Sequence, residues 1–339
     1  MKIKLKRLIA VFLALFFVNI VPTATEAAGE KLIVGGIPFG VKFMSNEIVV
    51  VGFSEIETAD GSKTPAYEAG IRVNDIITQV NGKDVTSTME LLTLVEESGE
   101  VIEITVMRNG TEEVYSFTPV YGEDGKRKTG MWIRDTTAGI GTVTYVDPET
   151  CEFGGLGHGI CDPESGEILQ MDRGTVVDVQ ISGITKGRPG TPGELKGYFS
   201  SYKSGVLLEN TPCGVYGVFS GMPEALDCSE ICETADRSEI VEGDAVIRCT
   251  LDDGEAREYS IMIEDIKPDS RDNRSFTVVV TDEALMEKTG GIVQGMSGSP
   301  ILQNGRIVGA VTHVLINDPT KGYGIFIENM LEAAENGLN

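Results

Sequence analysis

The residues best suited to nucleophilic chemistry lie in Gly295-Met296-Ser297-Gly298-Ser299-Pro300. Glycines on both sides of a serine let the chain turn tightly. The hydroxyl then projects, and backbone N–H groups converge where a tetrahedral oxyanion forms. The donors expected there are the N–H groups of Gly295 and Ser297. A serine hydroxyl needs a base, and the chain has only two histidines. His158 is set in Gly154-Gly155-Leu156-Gly157-His158-Gly159, a glycine-flanked position that does not suit a core residue. His313 ends the strand that follows the serine and is expected to line a cleft or serve the structure, not to catalyse. The third requirement is a buried carboxylate that orients the imidazole and stabilises its cation. Asp172, Asp178 and Asp282 are candidates, and spacing does not choose among them. Asp282 follows the apolar run Phe276–Thr281, which offers partial shielding.

A β framework is expected to hold these groups. Runs at Thr142–Val146, Gly174–Ile181, Gly205–Leu208, Gly214–Phe219, Ala245–Thr250, Ser260–Ile266, Phe276–Thr281 and Arg306–Thr312 read as strands separated by glycine-rich turns. No long amphipathic helix intervenes before the C-terminal tail, which favours a sandwich or double barrel over an α/β layout. This unit spans residues 131–335. Residues 121–130 are polar and glycine-rich and read as a linker. Residues 31–120 form an earlier α/β unit. It has a strand at Glu47–Phe53, a short helix ended by Gly70, a strand running into Asn81-Gly82, a helix over Thr86–Glu97 capped by Ser87 or Thr88, and a hairpin around Asn109-Gly110.

The chain has 339 residues, 41 of them glycine, and a net charge of −24. Such acidity repels phosphate backbones and argues against nucleic acid as a partner. Residues 1–28 have a basic start, an apolar run from Leu8 to Pro22 and small residues up to Ala28, the layout of an export signal. Cleavage after Ala27 and retention as a membrane anchor both leave the rest outside the cytoplasm. Six cysteines lie at 151, 161, 213, 228, 232 and 249. An exported protein can pair them, but the sequence does not say how. The intervals among Cys151, His158 and Cys161 match no common zinc pattern, and no metal or organic cofactor is expected.

Ala69-Gly70-Ile71-Arg72-Val73-Asn74-Asp75-Ile76-Ile77, followed by Val80-Asn81-Gly82, resembles the signature of bacterial PDZ domains. Ile37-Pro38-Phe39-Gly40-Val41 resembles their carboxylate-binding loop. There, successive N–H groups face a peptide's terminal carboxylate and the next strand offers an open edge. The Ser297 loop resembles the Gly-x-Ser-Gly-x-Pro loop of chymotrypsin-like proteases. In that fold the base comes from the N-terminal barrel and the nucleophile from the C-terminal one, an order that His158 and Ser297 follow. The implied architecture is mainly β: a PDZ-like domain, then a chymotrypsin-like double barrel.

From about residue 30 to 335 the chain resembles the stage IV sporulation protein B peptidases of endospore-forming bacteria. The shared features are the order of targeting segment, PDZ domain and peptidase domain, together with Gly157-His158-Gly159, Val280-Thr281-Asp282-Glu283-Ala284-Leu285 and Gly291 to Pro300. The resemblance implies His158, Asp282 and Ser297 as base, orienting carboxylate and nucleophile. It also implies release into the space between forespore and mother-cell membranes, self-cleavage near the N-terminal side, and cleavage of a membrane-embedded regulator. The PDZ unit would hold the enzyme's own tail or a partner's. Other readings are a general exported quality-control protease and a PDZ adaptor with an inactive protease fold.

Overall fold

Alternation of apolar residues produces most of the strands, as in Ala256–Glu264, where Tyr259, Ile261 and Ile263 are buried and Glu258 and Ser260 are exposed. The computed structural model describes residues 29–338 apart from 59–60, 123, 162–165 and 170–172. The export-signal reading of residues 1–28 and the candidate Asp172 therefore lie outside the described residues.

The chain opens with β1 (Lys31–Val34), β2 (Pro38–Phe53), β3 (Ile56–Thr58) and β4 (Gly61–Lys63). Helix α1 (Pro65–Ala69), β5 (Ile76–Val80), β6 (Lys83–Asp84) and α2 (Thr88–Glu97) follow, then β7 (Ile102–Arg108), β8 (Thr111–Phe117), β9 (Val120–Tyr121) and β10 (Arg127–Lys128). Next come β11 (Met131–Val146), β12 (Glu152–Gly155), β13 (Arg173–Thr185), β14 (Glu194–Thr211), β15 (Gly214–Phe219) and β16 (Ile231–Glu233). The last third holds β17 (Gly243–Thr250), β18 (Ala256–Glu264), β19 (Phe276–Val280), α3 (Glu283–Thr289), β20 (Pro300–Gln303), β21 (Arg306–Leu315), β22 (Asp318–Phe326) and α4 (Ile327–Leu338). The strand runs expected between residues 142 and 312 coincide with these strands, except that Ser260–Ile266 outruns β18 by two residues, where Asp265 turns with φ of 52°, and Phe276–Thr281 outruns β19 by one.

Two barrels result. Strands β11, β12, β15, β14, β13 and β2 pair in that order, and the pairing of β2 with β11 closes the ring. Its core includes Phe39, Val41, Val143, Phe153, Val176 and Leu207. The second barrel closes as β17-β18-β19-β22-β21-β20, around Ile247, Ile261, Phe276, Val278, Ile301 and Val311. The fold is thus mainly β, with a PDZ-like unit and a chymotrypsin-like pair of barrels.

The PDZ-like unit does not precede the first barrel; it is inserted into it. The first part of β2, Pro38 to Met44, pairs with Thr136–Thr142 of β11 on one side and with β13 on the other. The rest of β2, Ile48 to Phe53, pairs with β5 and with Met131–Arg134 of β11, inside the PDZ-like unit. Two strands are therefore shared, and the boundary expected at residues 120–131 does not separate the units.

The same geometry corrects the reading of Ile37-Pro38-Phe39-Gly40-Val41 as a carboxylate-binding loop. Ile37, Phe39 and Val41 are barrel core, and Phe39 packs edge-on against Phe153 at 5.6 Å. From Pro38 onward this segment is flanked by β11 and β13, so its backbone groups serve the sheet and do not converge on a ligand. The segment that resembles a carboxylate-binding loop has the apolar alternation of a buried strand.

Within the PDZ-like unit the signature residues are structural. Asp75 is buried, accepts from Arg72 N–H at 2.8 Å and holds the Arg108 guanidinium through two bonds of 2.6 Å. Ser87 caps α2, and Asn81-Gly82 and Asn109-Gly110 both turn with positive φ at each residue, as a tight hairpin turn requires.

The expected linker is not free either: β9 and β10 form a ladder there. Arg127 is buried and donates to the carbonyls of Val95, Ser98, Gly99 and Glu100, closing the C-terminal end of α2. Arg127→Ala leaves those carbonyls unpaired and is expected to lower unfolding stability by roughly 1.5–3 kcal/mol, read as a drop in the urea midpoint.

Candidate active site

β12 ends at Gly155, and Leu156 and Gly157 then turn with φ of 64° and 66°. Gly157 packs tightly on the second barrel: a Cβ there would stand 2.9 Å from Thr312 Cγ2. This turn brings His158 to the junction of the barrels. His158 and Ser297 line one cleft of about 520 Å³, with walls from both barrels. His158 Nδ1 lies 2.8 Å from the Gly159 carbonyl oxygen. A carbonyl only accepts, so Nδ1 carries the hydrogen and Nε2 keeps its lone pair, the tautomer a general base needs. Asn210 fixes the chain just beyond: its Oδ1 accepts from Ile160 N–H, and its Nδ2 donates to the carbonyls of Ile160 and Leu169.

Ser297 projects from a loop held by both barrels. Within it, Met296 N–H donates to the Val293 carbonyl at 3.1 Å and Ser299 N–H to the Met296 carbonyl at 2.9 Å. Gly298 N–H reaches the Val311 carbonyl at 2.7 Å. Three bonds cross from β11. Thr142 N–H meets the Ser297 carbonyl at 2.9 Å, Thr142 Oγ1 meets the Gly295 carbonyl at 2.8 Å, and Thr144 Oγ1 meets the Gly298 carbonyl at 2.7 Å. The N–H groups of Gly295 and Ser297 have no hydrogen-bond partner among the described residues, while those of Gln294, Met296, Gly298 and Ser299 are all used. Two donors are thus left for an oxyanion. Ser297 Oγ donates to the Thr312 carbonyl at 2.6 Å, and no hydrogen bond joins it to His158 among the described residues.

His313 lines the same cleft, as expected. Its ring lies 4.6 Å from that of His158, tilted by 34°, and its buried Nδ1 has no hydrogen-bond partner among the described residues. Burial, then the neighbouring His158 and Arg274, push its pKa down to about 4. Burial also lowers that of His158, against the opposing pull of the Gly159 carbonyl. Both imidazoles are therefore neutral at pH 7. A base works only unprotonated, so activity is expected to persist down to a pH below the ordinary imidazole value of about 6.5 and to fall as pH passes through the lowered His158 pKa. A pH profile of kcat/KM checks this. The unfolded chain binds these protons nearer pH 6.5 than the folded one does. Stability should therefore also decline as pH falls from about 6.5, seen in urea midpoints.

Asp282 is not brought to His158. Its carboxylate accepts from Leu285 N–H at 2.9 Å and from Ser260 N–H at 3.3 Å, capping α3, and it does not line the cleft. This corrects the expectation of an orienting role: an aspartate one position before a helix satisfies the first-turn N–H groups. Asp178 is exposed on β13, beside Ile37 and Pro38 and away from the cleft. Among the described residues no group of three or more His, Cys, Asp or Glu is placed to hold a metal, and all six cysteines are unpaired.

The SpoIVB peptidase S55 family matches residues 125–331, more than half of the chain, and a PDZ domain matches residues 60–108. The chain belongs to the SpoIVB peptidase S55 family. No curated protein matches it significantly. Among solved structures it is similar to the Rv3671c protease of M. tuberculosis. For the active form the identity is 15%, over 59% of this chain and 74% of that one, with a TM-score of 0.32. For the inactive form the identity is 14%, over 58% and 84%, again with a TM-score of 0.32. It is also similar to the PDZ domain of an SdrC-like protein from Listeria monocytogenes, at 14% identity over 26% and 90%, with a TM-score of 0.22.

This S55 serine peptidase also relies on residues that carried no local signal in its sequence. Thr142, Thr144, Asn210 and Thr312 hold the Ser297 loop and the chain after His158 through contacts between distant parts of the chain. Only the alternating Thr142-Val143-Thr144 pattern hinted that two hydroxyls share one face of a strand. Asn210→Ala frees the chain after His158 and is expected to cut kcat more than KM, by about tenfold. Steady-state kinetics on a peptide substrate would read this.

Proposed function

We propose that this peptidase is an exported, self-processing serine endopeptidase that cleaves a membrane-associated regulatory protein in sporulation signalling, with Ser297 as nucleophile and His158 as general base. The observation that carries the catalytic part is the shared cleft. Ser297 on its tight loop, His158 with Nε2 unprotonated, and Gly295 all line it, and the N–H groups of Gly295 and Ser297 are unused. Ser297 Oγ turns from the Thr312 carbonyl towards His158 Nε2 and gives up its proton as it attacks a peptide carbonyl. The N–H groups of Gly295 and Ser297 receive the oxyanion. The imidazolium keeps its Nδ1–H bond to the Gly159 carbonyl, which stands where a carboxylate would otherwise be. His158 then protonates the leaving amine, and water repeats the cycle on the acyl-enzyme.

Family membership supports the signalling role, and the basic and apolar leader at residues 1–28 supports export. A peptide tail would add to Met131–Arg134 of β11. Those residues pair with β2, and α2 is tied to the same strand by Thr88 N–H, which donates to Asp135. The test is intact mass of the full chain over time. Shortening at the N-terminal side in the wild type but not in Ser297→Ala supports self-processing. A wild type that stays whole beside an active reporter-peptide assay removes it.

A further inference from the structure

The cleft beside Ser297 is apolar on both walls. The first barrel contributes Ile140, Leu156 and Ile160, and the second contributes Ile292, Val293 and Val314. Ile292 and Val293 are 2% and 1% exposed, so they form a fixed surface. The chain carries 52 acidic and 28 basic side chains, yet no Asp, Glu, Lys or Arg lines this cleft among the described residues. A charged substrate side chain entering there would lose its water with no counter-charge to meet it. Both histidines are neutral at pH 7 and supply none.

The backbone route points the same way. Strand β20 pairs with β21 only as far as Ala310, so beyond it Val314 and Leu315 are paired with β22 alone. An extended segment can add to that edge, which directs a side chain between Ile292–Val293 and Val314, next to Ser297. We infer that this site, on the peptidase reading above, takes exposed, extended apolar segments, and that Ile292, Val293 and Val314 select an uncharged apolar residue on the acyl side of the scissile bond. Folded water-soluble proteins bury such segments. The substrate class is therefore a protein that leaves an apolar stretch uncovered.

The test uses the full chain and three peptide aminomethylcoumarins that differ only in the residue before the scissile bond: Leu, Lys or Glu. Labelling of Ser297 by a fluorophosphonate is measured on the same samples. The expected result is kcat/KM for Leu above both others by at least about tenfold. Val314→Asp is expected to close the Leu-to-Lys gap by about tenfold. Ile316→Asp, at an exposed position on the cleft mouth, should act in the same direction and serves if Val314→Asp does not fold. Equal or faster cleavage of the Lys or Glu peptide by protein that labels normally overturns the inference and leaves the peptidase reading standing. Absence of labelling overturns the peptidase reading and the inference with it.

Discussion

Replacing His158 by alanine is expected to lower peptide hydrolysis by roughly 10⁴–10⁶-fold, with Ser297→Ala costing about as much and the double variant little more. The reason is that, on the proposed mechanism, the two side chains act as one unit. Ser297 Oγ is a weak nucleophile while it donates to the Thr312 carbonyl, and on the proposed mechanism the Nε2 lone pair of His158 takes its proton as it attacks. Removing either partner removes that step, so the losses do not add. The residual rate would come from the N–H groups of Gly295 and Ser297, which are backbone and survive both substitutions. Additive losses, measured as kcat/KM on one reporter peptide, would mean that the two residues do not cooperate.

The second large effect is expected at Gly298. Its φ is +92°, in the left-handed region, and an added Cβ would stand 2.0 Å from the Thr142 carbonyl oxygen and 2.4 Å from Leu156 N. Both obstacles are backbone atoms of the first barrel and cannot swing aside. Gly298→Ala must therefore push the nucleophile loop away from β11. That stretches the bonds of Thr142 and Thr144 to the loop and displaces both oxyanion donors at once. Loss of one such donor alone costs about 2.7–4 kcal/mol of transition-state stabilisation, so a fall in kcat of roughly 10²–10³-fold or more is expected. The urea midpoint should fall too. Full activity in Gly298→Ala would show that the contact with β11 does not set the loop.

Much of this was legible in the sequence because it is local. Gly295–Pro300 announces a tight turn around a serine. Asn81-Gly82 and Asn109-Gly110 each turn with paired positive φ. Ser87 caps the helix that follows it. The failures came where a local pattern has two physical uses. Ile37, Phe39 and Val41 alternate equally well in a ligand-binding edge and in a buried barrel strand, and only the pairing with both β11 and β13 decides between them. Asp282 can orient a histidine or cap a helix, and Leu285 N–H takes it. The sharing of β2 and β11 by both units was hidden because their pairing joins residues far apart in the chain, such as Phe39 with Gly141.

Shared strands give the PDZ-like unit a mechanical link to the site. β11 runs from Met131, in the PDZ-like sheet, to Thr142, which bonds the carbonyls of Gly295 and Ser297. Nothing comparable would exist if the two units were joined by a flexible linker.

Whether Ser297 is a nucleophile activated by His158 is read by treating the full chain with a fluorophosphonate and locating the added mass by peptide mapping. One adduct per chain is expected, on Ser297, formed fast in the wild type, absent in Ser297→Ala and strongly slowed in His158→Ala. Labelling on another residue, or equal rates in the wild type and His158→Ala, would contradict it.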